Sequence, residues 1–194
     1  MLETIGFICA LTKNYHGRTY IVCEKLYKPC IELLQNDNFG DAGKKQLILS
    51  FQWSSIKKLA QELLIKNGMI ETIVGILRHK REVINPQFLE FCVALLVNIL
   101  LHKDGPRKAE QIKDDIMKAL IDLIESDIIN VRSYVHACLY PLLSHRTFRD
   151  TANSMGLWDI IDFLEKQNND SREHRNQLNY LKEKLEPNGD DPEP

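Results

Sequence analysis

No stretch of this chain is apolar for long enough to cross a membrane: the longest such run, residues 91–101 (FCVALLVNILL), falls short of the roughly 20 residues a spanning helix needs. An excess of charge of one sign is missing too. A formal net charge of −2 gives no overall pull toward nucleic acid or an anionic bilayer. Cysteine is sparse and odd in number, five in all, and Cys92 and Cys138 fall inside apolar helical patterns where a free thiol acts as a small hydrophobe. That usage points to a reducing compartment, hence a cytoplasmic protein. Residues 1–11 are apolar but carry neither a basic leader nor a small-residue cleavage site, so secretion is not expected. No segment alternates with period two over a useful length, which excludes a sheet.

Enzymatic signals are equally thin. G-x-x-x-x-G-K, H-E-x-x-H and G-x-S-x-G do not occur. His16, Cys23 and Cys30 are spaced by seven residues each, without the short C-x-x-C or H-x-x-x-H pair that zinc sites use. His136 and Cys138 stand two apart on a helix and point in different directions, which disfavours a Cys–His catalytic pair. Asp159, Asp162 and Glu165 form a carboxylate row on the polar side of an amphipathic helix, a place expected to face water. No catalytic residue, metal ligand or cofactor is expected.

What the chain does have is helical periodicity. Pro86–Leu101 is apolar on nearly every side, so it must lie between other elements, with Asn85 as its cap and Pro86 as its first residue. Apolar residues at helical spacing mark further helices at 2–11, 22–34, 44–67, 69–77, 116–124, 131–143, 146–155 and 156–164, with a shorter polar helix from Gly105 to Lys113. The segment KNYHGRTY at 13–20 reads as a turn, and Pro29 as a break or a fresh start.

The helices repeat. Met69, Ile70, Ile73, Ile76 and Leu77 recur as Ile116, Met117, Leu120, Leu123 and Ile124, then as Leu157, Trp158, Ile161 and Leu164. A second class matches independently: CVALLVNIL from Cys92 aligns with VHACLYPLL from Val135, and QLILSFQW precedes them. One unit alone would leave its apolar face bare, and stacking neighbours covers it, which is the logic of an α-solenoid. A period of about 40–47 residues falls in the range of armadillo and HEAT repeats. Gly68 and Gly156, placed where one helix ends and the next turns away, favour the armadillo form. The reading is therefore all-α: an armadillo-type α-solenoid of about four repeats over residues 1–168, with the repeat pattern running through 43–168. Residues 169–186 carry a narrow seam of Leu178, Leu181 and Leu185 and are expected to form a capping helix, and 187–194 (PNGDDPEP) an acidic disordered tail.

The succession FCVALLVNILL, GPRKA, INVRSYVHACLYPLLS and NSMGLWDII resembles the armadillo region of the LisH domain-containing armadillo-repeat family of ciliary proteins, over about Leu89 to Leu164 and back toward Lys44. The family's LisH dimerisation segment and coiled coil are not in this sequence, so the likeness is to a C-terminal piece or truncated form, and this segment implies no oligomer. The resemblance implies a non-enzymatic interaction scaffold at the basal body, centriole or axoneme. It also implies a role in cilium assembly, microtubule stability and Hedgehog signalling, with a TOG-domain microtubule-binding array protein among the partners. The alternatives are a generic armadillo peptide-binding adaptor and a HEAT-like nucleic-acid-binding solenoid, the latter without a basic stripe to support it.

In peptide-binding armadillo proteins such as importin-α and β-catenin, an Asn on each third helix holds an extended peptide, and in importin a Trp stands one turn earlier. Asn98 matches the Asn place, but its counterparts are Trp53 and Pro141, and the Trp place holds Ala94. The ladder is incomplete, so Asn98 serves either a partner or its own neighbours. Pro141 should kink its helix. Arg107 and Lys108, with Lys103 and Lys113, form the best basic cluster, followed at once by Asp114 and Asp115. Arg132, Arg146, Arg149 and His145 form a smaller one beside Tyr134 and Tyr140, residue types common at interface hot spots. Asn98, Arg107, Lys108, Arg132 and Tyr134 are the expected partner-binding residues.

Overall fold

The computed structural model describes residues 2–23, 26–36, 38–79, 85–167 and 172–186. Thirteen α-helices occur among them: α1 (Leu2–Thr12), α2 (Tyr15–Cys23), α3 (Tyr27–Gln35), α4 (Asp41–Ser54), α5 (Lys58–Lys66), α6 (Met69–His79), α7 (Pro86–Leu100), α8 (Gly105–Ala109), α9 (Lys113–Ile121), α10 (Ile129–Leu143), α11 (Arg146–Ser154), α12 (Leu157–Lys166) and α13 (Arg172–Leu185). The chain forms two compact units, Met1–Lys108 and Ala109–Pro194. The expected acidic tail at 187–194 lies outside the described residues.

In the first unit α4 packs between α1 and α7, with α3, α5 and α6 completing the layers. Asn85 opens α7 as its spacing predicts, its Oδ1 accepting from the Gln87 N–H at 3.0 Å. Cys92, Val93, Leu95, Leu96 and Ile99 of α7 are wholly buried, as are Leu47 and Ile48 of α4 and Met69, Ile70 and Ile73 of α6. Each such side chain contributes on the order of 1.5–3 kcal/mol through burial. Tyr27 stacks on Phe51 with ring centroids 5.5 Å apart, locking α3 to α4.

In the second unit α10 packs against α9, α11 and α13, and α13 against α12 as well. Val131, Val135, Cys138, Leu139 and Leu142 of α10 and Ile116, Met117 and Leu120 of α9 form the core, joined by Phe148, Leu157 and Ile161. Leu178, Leu181 and Leu185 close it from α13, each at most 3% exposed. The seam read at 169–186 is thus turned inward, onto its own chain.

Three local expectations differ from the structure. Residues 15–20 are helical in α2, because the Asn14 carbonyl oxygen Oδ1 accepts from Gly17 N–H at 2.7 Å and caps a helix start. The stretch 44–67 is two helices parted at Ser55–Lys57, where the Ser54 and Ser55 hydroxyls turn back onto the Phe51 and Gln52 carbonyls. Finally, α10 runs unbroken through Pro141, which stands in its last turn, where little helix remains to be deflected. Pro29, by contrast, falls in the first turn of α3, where a missing N–H costs nothing.

A joint recurs at the ends of α1, α4 and α10. Arg18 donates to the carbonyl of Thr12, Gln61 to that of Ser55 and Arg149 to that of Leu143, in each case from six residues further on. These bonds satisfy carbonyls that a helix C-terminus leaves open. At the matching place after α7 stands Pro106, which has no such donor.

Candidate partner-binding surface

The long helices share a register. α7, α10 and α13 begin at Pro86, Ile129 and Arg172, steps of 43 residues, and α4 begins at Asp41, 45 before α7. The thirteenth residues of these four helices are Trp53, Asn98, Pro141 and Lys184, and the ninth are Leu49, Ala94, Ala137 and Tyr180. α13 is therefore in step with the other long helices, although its polar outer face hides the pattern from a hydrophobicity reading.

Asn98 is half-buried, and its Nδ2 donates to Ser55 Oγ at 2.8 Å. Ser55 Oγ in turn donates to the Gln52 carbonyl at 2.7 Å, so the amide ties α7 to the end of α4. Arg107 is exposed on α8, whereas Lys108 Nζ lies 3.0 Å from Glu71 Oε1 of α6. These three belong to the first unit. Arg132 and Tyr134 are half-buried on α10 in the second.

The second unit also holds a groove that those residues do not name. Between α10 and α13 lies a space of about 550 Å³, lined by Ser133, Ala137 and Tyr140 on one side and Asn176, Tyr180 and Leu181 on the other. Tyr140 and Tyr180 stack with centroids 5.2 Å apart and ring planes 28° from parallel. Lys184 Nζ stands 5.1 Å from the Tyr140 centroid, within cation–π range. The neighbouring Tyr140 hydroxyl is the main reason that the Tyr180 phenol ionises above its usual pH. At the base, His136 Nδ1 donates to Gln177 Oε1 at 2.9 Å, and the His136 and His174 rings lie 5.0 Å apart.

A clamp holds α13 in place. Lys182 Nζ lies 2.9 Å from Asp162 Oδ1, bonds Glu165 Oε2 as well, and stands 5.5 Å over the Trp158 ring. Lys166 binds the other Asp162 oxygen. These bonds, Lys166 first and Lys182 next, hold the Asp162 carboxyl at about 2. Asp162 and Glu165 thus serve α13 rather than facing water alone, a partnership invisible to a reading of α12 by itself.

Cys92 and Cys138 are fully buried, which pushes both thiols far above their usual range, away from the reactive thiolate. Among the described residues no cluster of three or more His, Cys, Asp or Glu is placed to hold a metal ion, and no helix is long and apolar enough to cross a membrane. His16 is exposed and Cys30 buried, and the Cys23 side chain lies outside the described residues.

Three-helix units with long third helices in step, with an apolar core in each compact unit, describe a repeat protein. Residues 64–186 match the ARM repeats of LisH domain-containing protein ARMC9. The chain belongs to this family. The match runs through α13 to the last described residue. The ARMC9 proteins of Bos taurus and Homo sapiens are 26% and 27% identical over 86% and 84% of the chain. The chain spans only 25% and 20% of their respective lengths. Among solved structures, a designed armadillo repeat protein in complex with the peptide (KR)4 superposes with a TM-score of 0.75 at 13% identity, covering 95% of this chain and 75% of that one. A computationally designed armadillo protein for modular peptide recognition gives a TM-score of 0.78 at 13% identity, over 94% and 74%. The fold is an armadillo-type α-solenoid, all-helical among the described residues.

Proposed function

We propose that this chain is a non-enzymatic scaffold that binds protein partners through its long third helices. The groove between α10 and α13 carries the proposal: it sits between two third helices in the same register and offers stacked aromatic faces beside amide side chains. Aromatic surface supplies contact area at small entropic cost, and amides pair with an extended backbone. Residues 1–168 then act as the solenoid and 169–186 as its capping helix, since the outer face of α13 is polar, as the end of a repeat stack requires.

The family resemblance supplies the setting. It supports action at the basal body, centriole or axoneme, in cilium assembly and Hedgehog signalling, with a TOG-domain microtubule-binding protein among the partners. Asn98, Arg107, Lys108, Arg132 and Tyr134 are proposed as further contact residues. Arg107 has the most open position of the five, and Asn98 the most committed to internal bonding.

Proximity labelling in ciliated cells tests the function. The chain should enrich basal-body and axonemal proteins, and a Tyr140→Ala, Tyr180→Ala variant that keeps its helical circular dichroism should lose them. Absence of ciliary enrichment from the unaltered chain removes the ciliary setting. Enrichment that the double variant leaves intact removes the groove as the contact site.

A further inference from the structure

The chemistry of the groove goes further, to the charge of what it holds, an inference that rests on the groove being the contact site. None of its lining residues is a carboxylate. Lys184 stands at the place that Asn98 holds in α7, with its ammonium over the Tyr140 face. The nearby acids of α12 do not offset it, because Asp162 and Glu165 are engaged by Lys182 and Lys166. Glu183 acts on the Tyr180 hydroxyl from the neighbouring position of α13, with Lys184 opposing it. His136 and His174 at the base add imidazoles and no negative charge. Asn176 is exposed, and Ser133 faces it across the space, so amide and hydroxyl groups line the path of an extended backbone. The Tyr140 and Tyr180 rings offer an apolar floor between them.

We propose that the groove between α10 and α13 takes an extended acidic segment of a partner protein, with a carboxylate on Lys184 and an apolar side chain two residues away on the Tyr140–Tyr180 pair. That spacing suits it, because in an extended strand residues i and i+2 point to the same side, and the ammonium lies over the Tyr140 ring of that pair. A basic segment of the (KR)4 type, held by the designed armadillo protein, places like charge against Lys184 and is excluded.

Fluorescence anisotropy of the full chain with two labelled peptides tests this, one repeating glutamate–serine–valine–serine and one repeating lysine–serine–valine–serine, so that charge and valine fall on one side of an extended strand. The acidic peptide should bind and the basic one should not. Lys184→Glu should weaken acidic binding by about tenfold, as reversal of a contacting charge does. Tyr180→Ala should weaken it too, while Tyr180→Phe, which keeps the ring, should bind as the unaltered chain does. Lys66→Glu, the same charge change on α5, should have no effect. Equal binding of both peptides, or preference for the basic one, overturns the charge inference while leaving the groove as a peptide site. Binding that ignores Lys184→Glu and Tyr180→Ala overturns the placement. Failure of the acidic peptide to bind overturns the inference, and the ciliary labelling of the Tyr140→Ala, Tyr180→Ala variant then decides separately whether the groove is a contact site. Acidic binding that emerges only when residues 187–194 are deleted assigns the groove to the chain's own acidic segment and overturns the partner proposal.

Discussion

The side-chain amide of Asn98 donates to the hydroxyl of Ser55 at 2.8 Å, joining two long helices whose residues are 43 positions apart. Ser55 is fully buried, so the bond lies where water competes little for it. Asn98→Ala is expected to lower the unfolding free energy by about 1 kcal/mol, the usual cost of one neutral hydrogen bond. A double-mutant cycle with Ser55→Ala, followed by urea denaturation, should give a coupling energy of similar size. Additive effects of the two changes would remove the bond as a stabilising contact.

Gly156 sits at φ +74° between α11 and α12, with nothing within 4 Å of the place a Cβ would take. Gly156→Ala therefore pays for backbone conformation alone, about 1–2 kcal/mol. Gly156→Asn should cost less, since Asn tolerates the left-handed region. Gly105 poses a different problem: a Cβ there would meet the Ile99 carbonyl oxygen at 2.3 Å. Neither Gly105→Ala nor Gly105→Asn can escape that clash, so both should lower the thermal midpoint alike.

The clamp on α13 predicts acid sensitivity. The Asp162 carboxyl titrates at about 2 in the folded chain against 3.8 ordinarily, so its contribution is complete above the ordinary value. It is lost as pH falls through the folded value. Fluorescence of Trp158 in a Trp53→Phe background should change between about pH 4 and pH 2, and Asp162→Asn should abolish that step. A step that survives Asp162→Asn belongs to another carboxylate.

Alkali should act on the first unit. Burial, opposed in part by the Ser54 hydroxyl, pushes the Tyr27 phenol up to about 12. An unfolded tyrosine loses its proton near 10, so above that pH the unfolded state binds fewer protons and stability falls until the folded group titrates. The loss amounts to roughly 2 kcal/mol between pH 10 and 12. Urea denaturation across that range should show it in the unaltered chain and not in Tyr27→Phe.

Helix class and repeat period were legible in the chain because both rest on buried residues: Met69, Ile116 and Leu157 mark the same place in successive units, and each is fully buried. Turn and break positions were less so. The opening of α2 depends on the Asn14 side chain, and the division at Ser55–Lys57 on hydroxyls that act over three residues, neither of which disturbs the apolar pattern. The groove was hidden for a similar reason. Tyr180 stands in a polar stretch, and only the step of 43 residues from α10 to α13 places it near Tyr140. That step was present in the sequence, but the contrast between a mostly apolar α10 and a polar α13 concealed it.

The bonds from Arg18, Gln61 and Arg149 to the helix ends six residues before them are short-range in sequence. Donor and acceptor would be copied together whenever a gene segment encoding one repeat is duplicated. An array built this way can lengthen without inventing a new connection each time. Glutamine at the joint after α4, where α1 and α10 are followed by arginine, makes the same connection with a neutral side chain of sufficient reach.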